Sequence, residues 1–436
     1  MKKVWLAAAL LGLVTMAASS FAEVQNIRLS GDLRVRGYYL NGLNGNGNVN
    51  QEDNAFIRQR TRVTVEADLE DHVLVVVTLK AEGQWGDESS SPYNRDRGWS
   101  VVITEAYVQL SEMFFSPATL KLGRQYLHYG RGLHVSSANE TYNFDAGRLV
   151  LDFYPFTLDV VGARLTDNNS GPTANTGNGG NNLLFINGRY EMKDSIIKDV
   201  EAYFGWLSRG SAGGANLGYY YPNINNASPW IIGLRTDLTP IKGLDMWAEA
   251  TYEGGADGTS SSKTLSAWLA NVGAKYTFKD VKMEPSINAN YIYASGGAAG
   301  KPFVPFFASV ENYNGYIFCP ILSNIHIMNL GASIKPAKNT TVSVQGYYYM
   351  KADNDGSIGT DYYQREFSGG FTGWSSNANK HEAAWEIDGI VGYDYSKDVR
   401  FQLVYGMFIP ERNYTDNSQT TDSVGQMVRG EVNVKF

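Results

Sequence analysis

The chain has 436 residues, 13% of them aromatic, with 28 Tyr, 46 Gly, a single Cys and a formal net charge of −7. One cysteine excludes a disulfide-stapled scaffold and a Cys-ligated zinc cluster, and a hydrophobic fraction of 43% excludes a wholly disordered chain. The acidic balance leaves no overall basic footprint for binding nucleic acid.

The N-terminus has the three parts of a secretory signal peptide. Lys2 and Lys3 precede an apolar stretch at 4–16, and Ser20-Phe21-Ala22 is a small-x-small cleavage site. The apolar stretch is shorter than the ~20 residues that a membrane-spanning helix needs, and no later segment approaches 18 consecutive apolar residues. We therefore predict that 1–22 is cleaved and that 23–436 forms a single domain that is periplasmic, secreted or in a bacterial outer membrane.

The first predicted strands alternate apolar and polar residues with a period of two. From Ile27 to Tyr39 one face is apolar or glycine, and the other carries Arg28, Arg34 and Arg36. The next strand, 57–69, repeats this alternation. Successive side chains of a strand point to opposite faces, and strands of this length suit the ~9–11 residues that cross a bilayer at a tilt.

The alternation continues along the whole chain and predicts eighteen strands. They begin near Ile27, Ala55, His72, Ser100, Thr119, Asp145, Phe156, Asn182, Val200, Pro229, Leu244, Thr264, Val281, Asn324, Thr341, Lys380, Val399 and Val424. Short connections alternate with long ones rich in Gly, Asn, Ser and Asp. The predicted fold class is therefore all-β: a transmembrane antiparallel up-and-down β-barrel of about 18 strands, with long extracellular loops and short periplasmic turns.

The last strand supports the membrane assignment. It alternates from Val424 to a terminal Phe436, which resembles the C-terminal signal of outer-membrane barrels, and we expect the barrel-assembly machinery to recognise it. Aromatic residues crowd the predicted strand ends, as they do in the girdles of membrane barrels.

Closure of the barrel places the polar strand faces around the lumen, where charges of one sign cluster. The predicted basic arc comprises Arg28, Arg34, Arg36, Arg58, Arg60, Arg62, Arg429 and Lys435, and the predicted acidic arc comprises Glu201, Asp237, Asp245, Glu249 and Glu253, with Arg235 among them. Two interpretations stay open. Either the arcs face each other and orient dipolar solutes, or the arginines pair with Asp32, Glu66, Asp68 and Glu431 on their own wall and hydrate the lumen.

Four further interior candidates fall on the polar faces of their strands. They are Glu105, Tyr107, Arg148 and Asp152. Arg124 shares a phase with leucines, so either a bulge turns it inward or it lies near the rim.

Motifs along most of the chain resemble those of the alginate-export porin family of Gram-negative outer membranes. They are an arginine ladder at 56–62, Glu105-Ala106-Tyr107-Val108, Leu122-Gly123-Arg124-Gln125, Phe303 and Phe306 followed by Gly315-Tyr316, and Glu386-Ile387-Asp388 followed by Tyr393 and 405–410. The resemblance implies a monomeric eighteen-stranded barrel that passes an anionic polysaccharide. Family members that pass alginate are expected to have a mainly basic lumen, and the mixed signs predicted here depart from that. We also place Glu386 and Asp388 among the acidic pore-lining residues, and Arg124 and Arg131 at a possible constriction. Arg131 lies in the third long loop, which folds inward in many porins.

We predict a passive channel for small polar or anionic solutes, without cofactor, metal or covalent chemistry, in contact with outer-membrane lipids and lipopolysaccharide. Two alternatives stay open. An outer-membrane hydrolase would use His128 and His134 beside Ser136 and Ser137. An adhesive barrel would bind a partner through its loops and conduct no ions. The sole Cys319 lies in the seventh long loop.

Overall fold

The structure is a computed structural model that describes residues 25–42, 54–69, 72–86, 99–113, 115–138, 142–166, 181–208, 228–256, 264–297, 301–308, 313–354, 382–410 and 424–436. The predicted signal peptide and most of the predicted long loops lie outside these ranges. Within them no helix has the length and apolar composition needed to cross a membrane.

The described residues form eighteen strands. They are β1 (Asn26–Asn41), β2 (Asn54–Asp68), β3 (Val73–Gln84), β4 (Ser100–Ser111), β5 (Ala118–Gln125), β6 (Phe144–Phe153), β7 (Phe156–Thr166), β8 (Asn181–Glu191), β9 (Ile197–Ser208), β10 (Ser228–Ile241), β11 (Leu244–Ala256), β12 (Thr264–Thr277), β13 (Ser286–Ala294), β14 (Ile325–Ala337), β15 (Thr340–Lys351), β16 (Glu382–Asp394), β17 (Val399–Pro410) and β18 (Gly425–Lys435).

Each strand pairs antiparallel with its neighbours along the chain, and β18 pairs with β1 to close the sheet. Val35 lies opposite Val432 at this seam. The terminal Phe436 extends the seam, because its N–H donates to the Gly31 carbonyl at 3.1 Å and its carbonyl accepts from the Gly31 N–H at 2.8 Å. The predicted fold class, a closed antiparallel barrel, is confirmed.

The two faces of the sheet differ as the alternation predicts. Outward side chains are apolar and uncovered, as at Leu29 (65% exposed) and Leu330 (68%), whereas inward neighbours such as Asp32 and Glu249 are buried. Exposed aromatics ring both ends of the barrel. Phe115, Phe153, Tyr154, Tyr395 and Phe436 lie at the short-turn end, and Trp85, Trp99, Trp206, Trp268 and Trp385 at the long-loop end. Such girdles sit at the two membrane interfaces, with the short turns in the periplasm.

The predicted strand starts agree with the structure to within three residues, with one exception. The thirteenth strand begins at Ser286 rather than near Val281. The intervening chain is a turn, in which the Val281 N–H donates to the Phe278 carbonyl at 3.1 Å. Met283 and Glu284 have positive φ there, which a strand cannot accommodate.

Candidate functional site

A wall of arginines lines the lumen on β18, β1 and β2. Arg34, Arg36, Arg58 and Arg60 converge with Tyr38 and Glu82 around a small recess. The alternation explains the arrangement, because every second residue of β1 and β2 points inward and the register sets Arg34 opposite Arg60 and Arg36 opposite Arg58.

These arginines are paired on their own wall, yet cations remain in excess. Arg60 contacts Asp32 at 3.1 Å, and Arg62 bonds the same carboxylate. Arg36 contacts Glu431 at 2.5 Å, and Arg34 contacts Glu82 at 3.5 Å. The cations of this region of the described wall are Arg34, Arg36, Arg58, Arg60, Arg62, Arg429 and Lys80, and its carboxylates are Asp32, Glu82 and Glu431. Among these described side chains cations therefore outnumber carboxylates, and ion pairs hold the arginines in place.

Two predicted basic residues lie apart from this wall, at the periplasmic rim. Arg28 is about half exposed and is bonded to Glu66 at 2.9 Å and to Asp68. Lys435 is exposed and lies opposite Asp32 in the register.

The acidic residues hold two loops inside the barrel. Glu201 accepts the backbone N–H of Gly130 at 2.9 Å, and Glu249 accepts that of Arg131 at 2.7 Å. Both donors belong to L3, which we define as residues 126–138. Glu253 accepts the N–H of Val304 at 2.8 Å, which belongs to L7, defined as residues 301–308 and 313–324. These carboxyl groups are thus occupied by loop backbone and do not face an open lumen.

L3 is a short hairpin whose tip rests on the acidic wall. The N–H of Ser137 donates to the Leu127 carbonyl at 2.8 Å, and Gly130 and Gly132 take positive φ around Arg131. At Gly130 a β-carbon would stand 2.5 Å from a carboxylate oxygen of Glu249, and the positive φ there also favours glycine.

Arg131 is held flat against the wall by two contacts. Its guanidinium lies 3.2 Å from Asp237 and 4.5 Å above the Trp247 ring. On the other side of Asp237, Arg235 bonds both Asp237 and Glu201. Asp245 lies apart at the rim, paired with Lys198 at 2.8 Å.

L7 is fastened by the two carboxyl groups on β16. Glu386 is fully buried and accepts the N–H groups of Ile317 at 2.6 Å and Phe318 at 2.9 Å. Asp388 accepts the N–H of Tyr316 at 3.2 Å. The ring of Tyr316 then lies 4.5 Å below the guanidinium of Arg429, so L7 reaches the edge of the arginine wall.

The two loops pack on each other and on the barrel to form a plug. The Phe307 N–H donates to the His134 carbonyl, and the Ser136 N–H donates to the Phe307 carbonyl at 2.9 Å. Two apolar clusters surround this joint, one including Leu133, Phe303, Phe318 and Tyr349, and the other Phe306. The strands that contribute to them do so mainly in their loop-side halves. Among the described residues, β2 contributes only the partly buried Phe56, and β3, β4 and β5 contribute none.

The remaining predicted residues have the following positions. Arg148 contacts Asp159, which also accepts a hydrogen bond from the Tyr129 hydroxyl of L3 at 3.0 Å. Glu105 faces inward and accepts from Thr78 at 3.0 Å, past a register shift in β4. Asp152 is exposed at the rim. Arg124 pairs with Asp145 at 2.7 Å on the outer face, beside the exposed Leu122, so we leave it out of the proposed constriction.

The histidine and serine cluster forms part of the L3 hairpin. His128 Nδ1 lies 3.0 Å from Ser136 Oγ across an isolated bridge, and this buried oxygen also accepts the Ala138 N–H. His134 is enclosed by Phe303 and Phe306. Among the described residues, no group of three His, Cys, Asp or Glu side chains is placed to hold a metal ion.

Acid should loosen the plug through His134. Burial lowers the pKa of this imidazole to about 3, so between pH 6.5 and 3 the undocked loop binds a proton that the docked loop excludes. Docking therefore weakens as the pH falls, by about 2 kcal/mol at pH 5. We expect current fluctuations at pH 5 in single-channel recordings to be larger in the wild type than in His134→Leu, because only the wild type carries the buried imidazole. Fluctuations of the same size in that variant would contradict the assignment.

Replacing Arg131 by glutamine should shift ion selectivity toward cations. The backbone N–H that Glu249 accepts remains, so L3 stays docked. Asp237 loses one of its two cationic partners, and its charge acts on the lumen. The reversal potential under a salt gradient measures the shift, and an unchanged value would show that Arg131 does not screen this wall.

Comparisons with known proteins agree with this geometry. The sequence matches the profile of a family described as alginate export over residues 27–421. No curated protein matches the sequence. Among solved structures, the outer membrane protein OprD from Pseudomonas aeruginosa is 13% identical, with 95% of this chain and 96% of that chain covered and a TM-score of 0.57. OprE from the same organism is 11% identical, with 95% and 99% covered and a TM-score of 0.58. At such identities the likeness is one of fold.

Proposed function

We propose that this chain, which belongs to the alginate export family and forms an outer-membrane channel for small solutes, passes carboxylate-bearing solutes along its arginine wall. The observation that carries the proposal is the joint placement of plug and arginines. The plug packs against Tyr38 and Leu40 on β1, and Arg34, Arg36, Arg58 and Arg60 line a recess that also borders Tyr38.

The chemistry of that wall suits carboxylates. Guanidinium groups match a carboxylate with two parallel hydrogen bonds and keep their charge at any working pH. Successive arginines on two paired strands offer equivalent positions between which a bound anion can move. Selection by lumen charge and pore width needs no cofactor and no covalent step, so the transport that we propose is passive.

The family name suggests uronate chains as the solute, and the mixed charge of the lumen favours short ones. We propose that an oligouronate added to one side of a planar bilayer transiently blocks the current through the refolded channel. Block should weaken as salt is raised, because a 1 M solution screens charges beyond about 3 Å. An uncharged oligosaccharide of equal length is the control for charge. Equal block by both at every salt concentration would remove the carboxylate from the proposal.

The remaining predictions about the whole protein belong to the same proposal. Residues 1–22 direct the chain out of the cytoplasm and are cleaved, and Phe436 at the seam between β18 and β1 is recognised during barrel assembly. The barrel works as a monomer, as its family resemblance implies. Outer-membrane lipids contact the apolar outer face.

A further inference from the structure

A third face of the lumen, on β13 to β15, is neither basic nor acidic. It lies on the periplasmic side of the plug, and its inward positions in mid-strand carry carboxamides: Asn288 and Asn290 on β13, Asn329 on β14 and Gln345 on β15. We call these four residues the amide face. On the described parts of these strands the inward charged residues, Lys335 and Lys351, stand only at the strand ends.

Hydrogen bonds between their side chains hold Asn288, Asn329 and Gln345 in place. Asn288 donates to Asn329 at 2.9 Å and to Gln345 at 3.2 Å, and Gln345 donates back to Asn288 at 3.3 Å. The two bonds that involve Gln345 lie at the long end of the ordinary N–H···O range of about 2.7–3.2 Å.

Glycine holds one amide flat against the wall. A β-carbon at Gly331 would lie 2.1 Å from the carboxamide oxygen of Gln345, so the Gln345 side chain crosses the space that Gly331 leaves open. At the other end of the face, Asn290 accepts from the Trp247 indole at 2.9 Å and from Asn271 at 2.7 Å. The arrangement is thus fixed on both sides.

We propose that the amide face binds the hydroxyl groups of a passing sugar chain. A carboxamide offers both a donor and an acceptor, and a hydroxyl group needs both. Without charge, the face holds neither inorganic ions nor carboxylates strongly. The proposal deepens the proposed function and rests on it: the arginine wall takes the carboxylates of a sugar-acid chain, and the amide face takes its hydroxyl groups.

The test uses the full-length mature channel in planar bilayers and three probes. An uncharged hexose oligosaccharide presents hydroxyl groups without carboxylates, and an oligouronate presents both. Polyethylene glycol of equal hydrodynamic size, capped with methyl groups at both ends, presents neither. We expect the hexose oligosaccharide to bind the wild-type channel and to cause resolved blocking events in the current. Polyethylene glycol should only lower the mean current, because it excludes electrolyte from the lumen.

Two variants remove the amide face in different ways. Asn288→Leu with Asn329→Leu deletes hydrogen-bonding groups at similar volume, whereas Gly331→Ala displaces the flexible end of Gln345 and leaves every polar group in the chain. Loss of a hydrogen bond or two corresponds to about tenfold weaker binding of both sugars. Ion selectivity should not change. Gln109→Leu is the matched control, an inward amide on β4 that bonds only its neighbour Ser111 among the contacts described.

The outcomes separate the two proposals. Hexose block no stronger than that of polyethylene glycol, or wild-type block in both variants, would overturn the amide face. If the hexose binds through the amides but the oligouronate gains nothing from its charge, the arginine proposal fails and the amide face stands. Folding of each variant is checked by heat-modifiable migration in gels. If the double variant does not fold, Gly331→Ala still tests the amide face.

Discussion

Replacing Glu386 by alanine should free L7 and increase the conductance of the channel. The fully buried carboxyl group accepts two backbone N–H groups of L7, at Ile317 and Phe318. Loss of these bonds destabilises docking by about 2 kcal/mol or more, which is more than a tenfold change in the docking equilibrium. Single-channel recordings should show larger and noisier currents than the wild type.

Another carboxylate on the same face of β16, at the opposite end of the strand, provides the control. Asp394 lies on the same phase at the periplasmic end and pairs with Arg400 at 2.8 Å, without contact to either loop among the interactions described. Asp394→Ala should therefore leave conductance unchanged. A Glu386→Ala channel with quiet, wild-type currents would show that the carboxyl group does not fasten the loop.

Removing Arg34 and Arg58 should abolish or reverse the anion preference of the channel. Both line the open recess, and their replacement by glutamine preserves volume while deleting two positive charges. Arg60 and Arg62 are poorer choices, because they pair with the buried Asp32 and their loss would leave that carboxylate isolated, which costs several kcal/mol. Charges in the lumen act over a Debye length of about 8 Å at 0.15 M salt.

The reversal potential under a salt gradient measures this effect. It should move toward the cation equilibrium value in Arg34→Gln/Arg58→Gln and stay at the wild-type value in Arg28→Gln, because Arg28 lies at the rim on the same face of β1 and is paired with Glu66. An unchanged value in the double variant would remove the arginine wall as the element that selects ions.

The fold could be predicted from the sequence because one physical rule operates along the whole chain. Every spanning strand must be apolar outside and polar inside, so the period of two appears in β1, β2 and β18 alike. The error at β13 has a local cause. Its turn continues to 285 through positive-φ residues that are not glycine, and no composition signal marks Met283 and Glu284 as such.

The inward phase of the site residues also followed from the sequence, but the partners of the acidic residues did not. Alternation indicates that Glu201, Glu249 and Glu386 point inward, yet their carboxyl groups meet loop N–H groups whose positions depend on how L3 and L7 fold. Loop residues lack the alternating pattern from which the direction of strand side chains can be predicted. The structure therefore shows a feature of each interpretation of the charged arcs, because ion pairs and an excess of described cations coexist on the arginine wall.

The sequence also contains signals for lumen residues that the prediction did not include. Asp199 and Asp159 lie on inward phases and contact Arg189 and Arg148. The amide face is visible as Ser286, Asn288 and Asn290 at alternate positions. Uncharged polar residues draw less attention than arginines, although they fall on the same phase of their strands.

The central claim is that the plug leaves open a path along the arginine wall and that this path favours anions. The most direct test is the reversal potential of the wild-type channel in a planar bilayer under a tenfold salt gradient at neutral pH. A potential on the anion side, larger at low ionic strength, is the result that we predict. A cation-selective channel, or a correctly folded barrel that conducts no current, would contradict the claim.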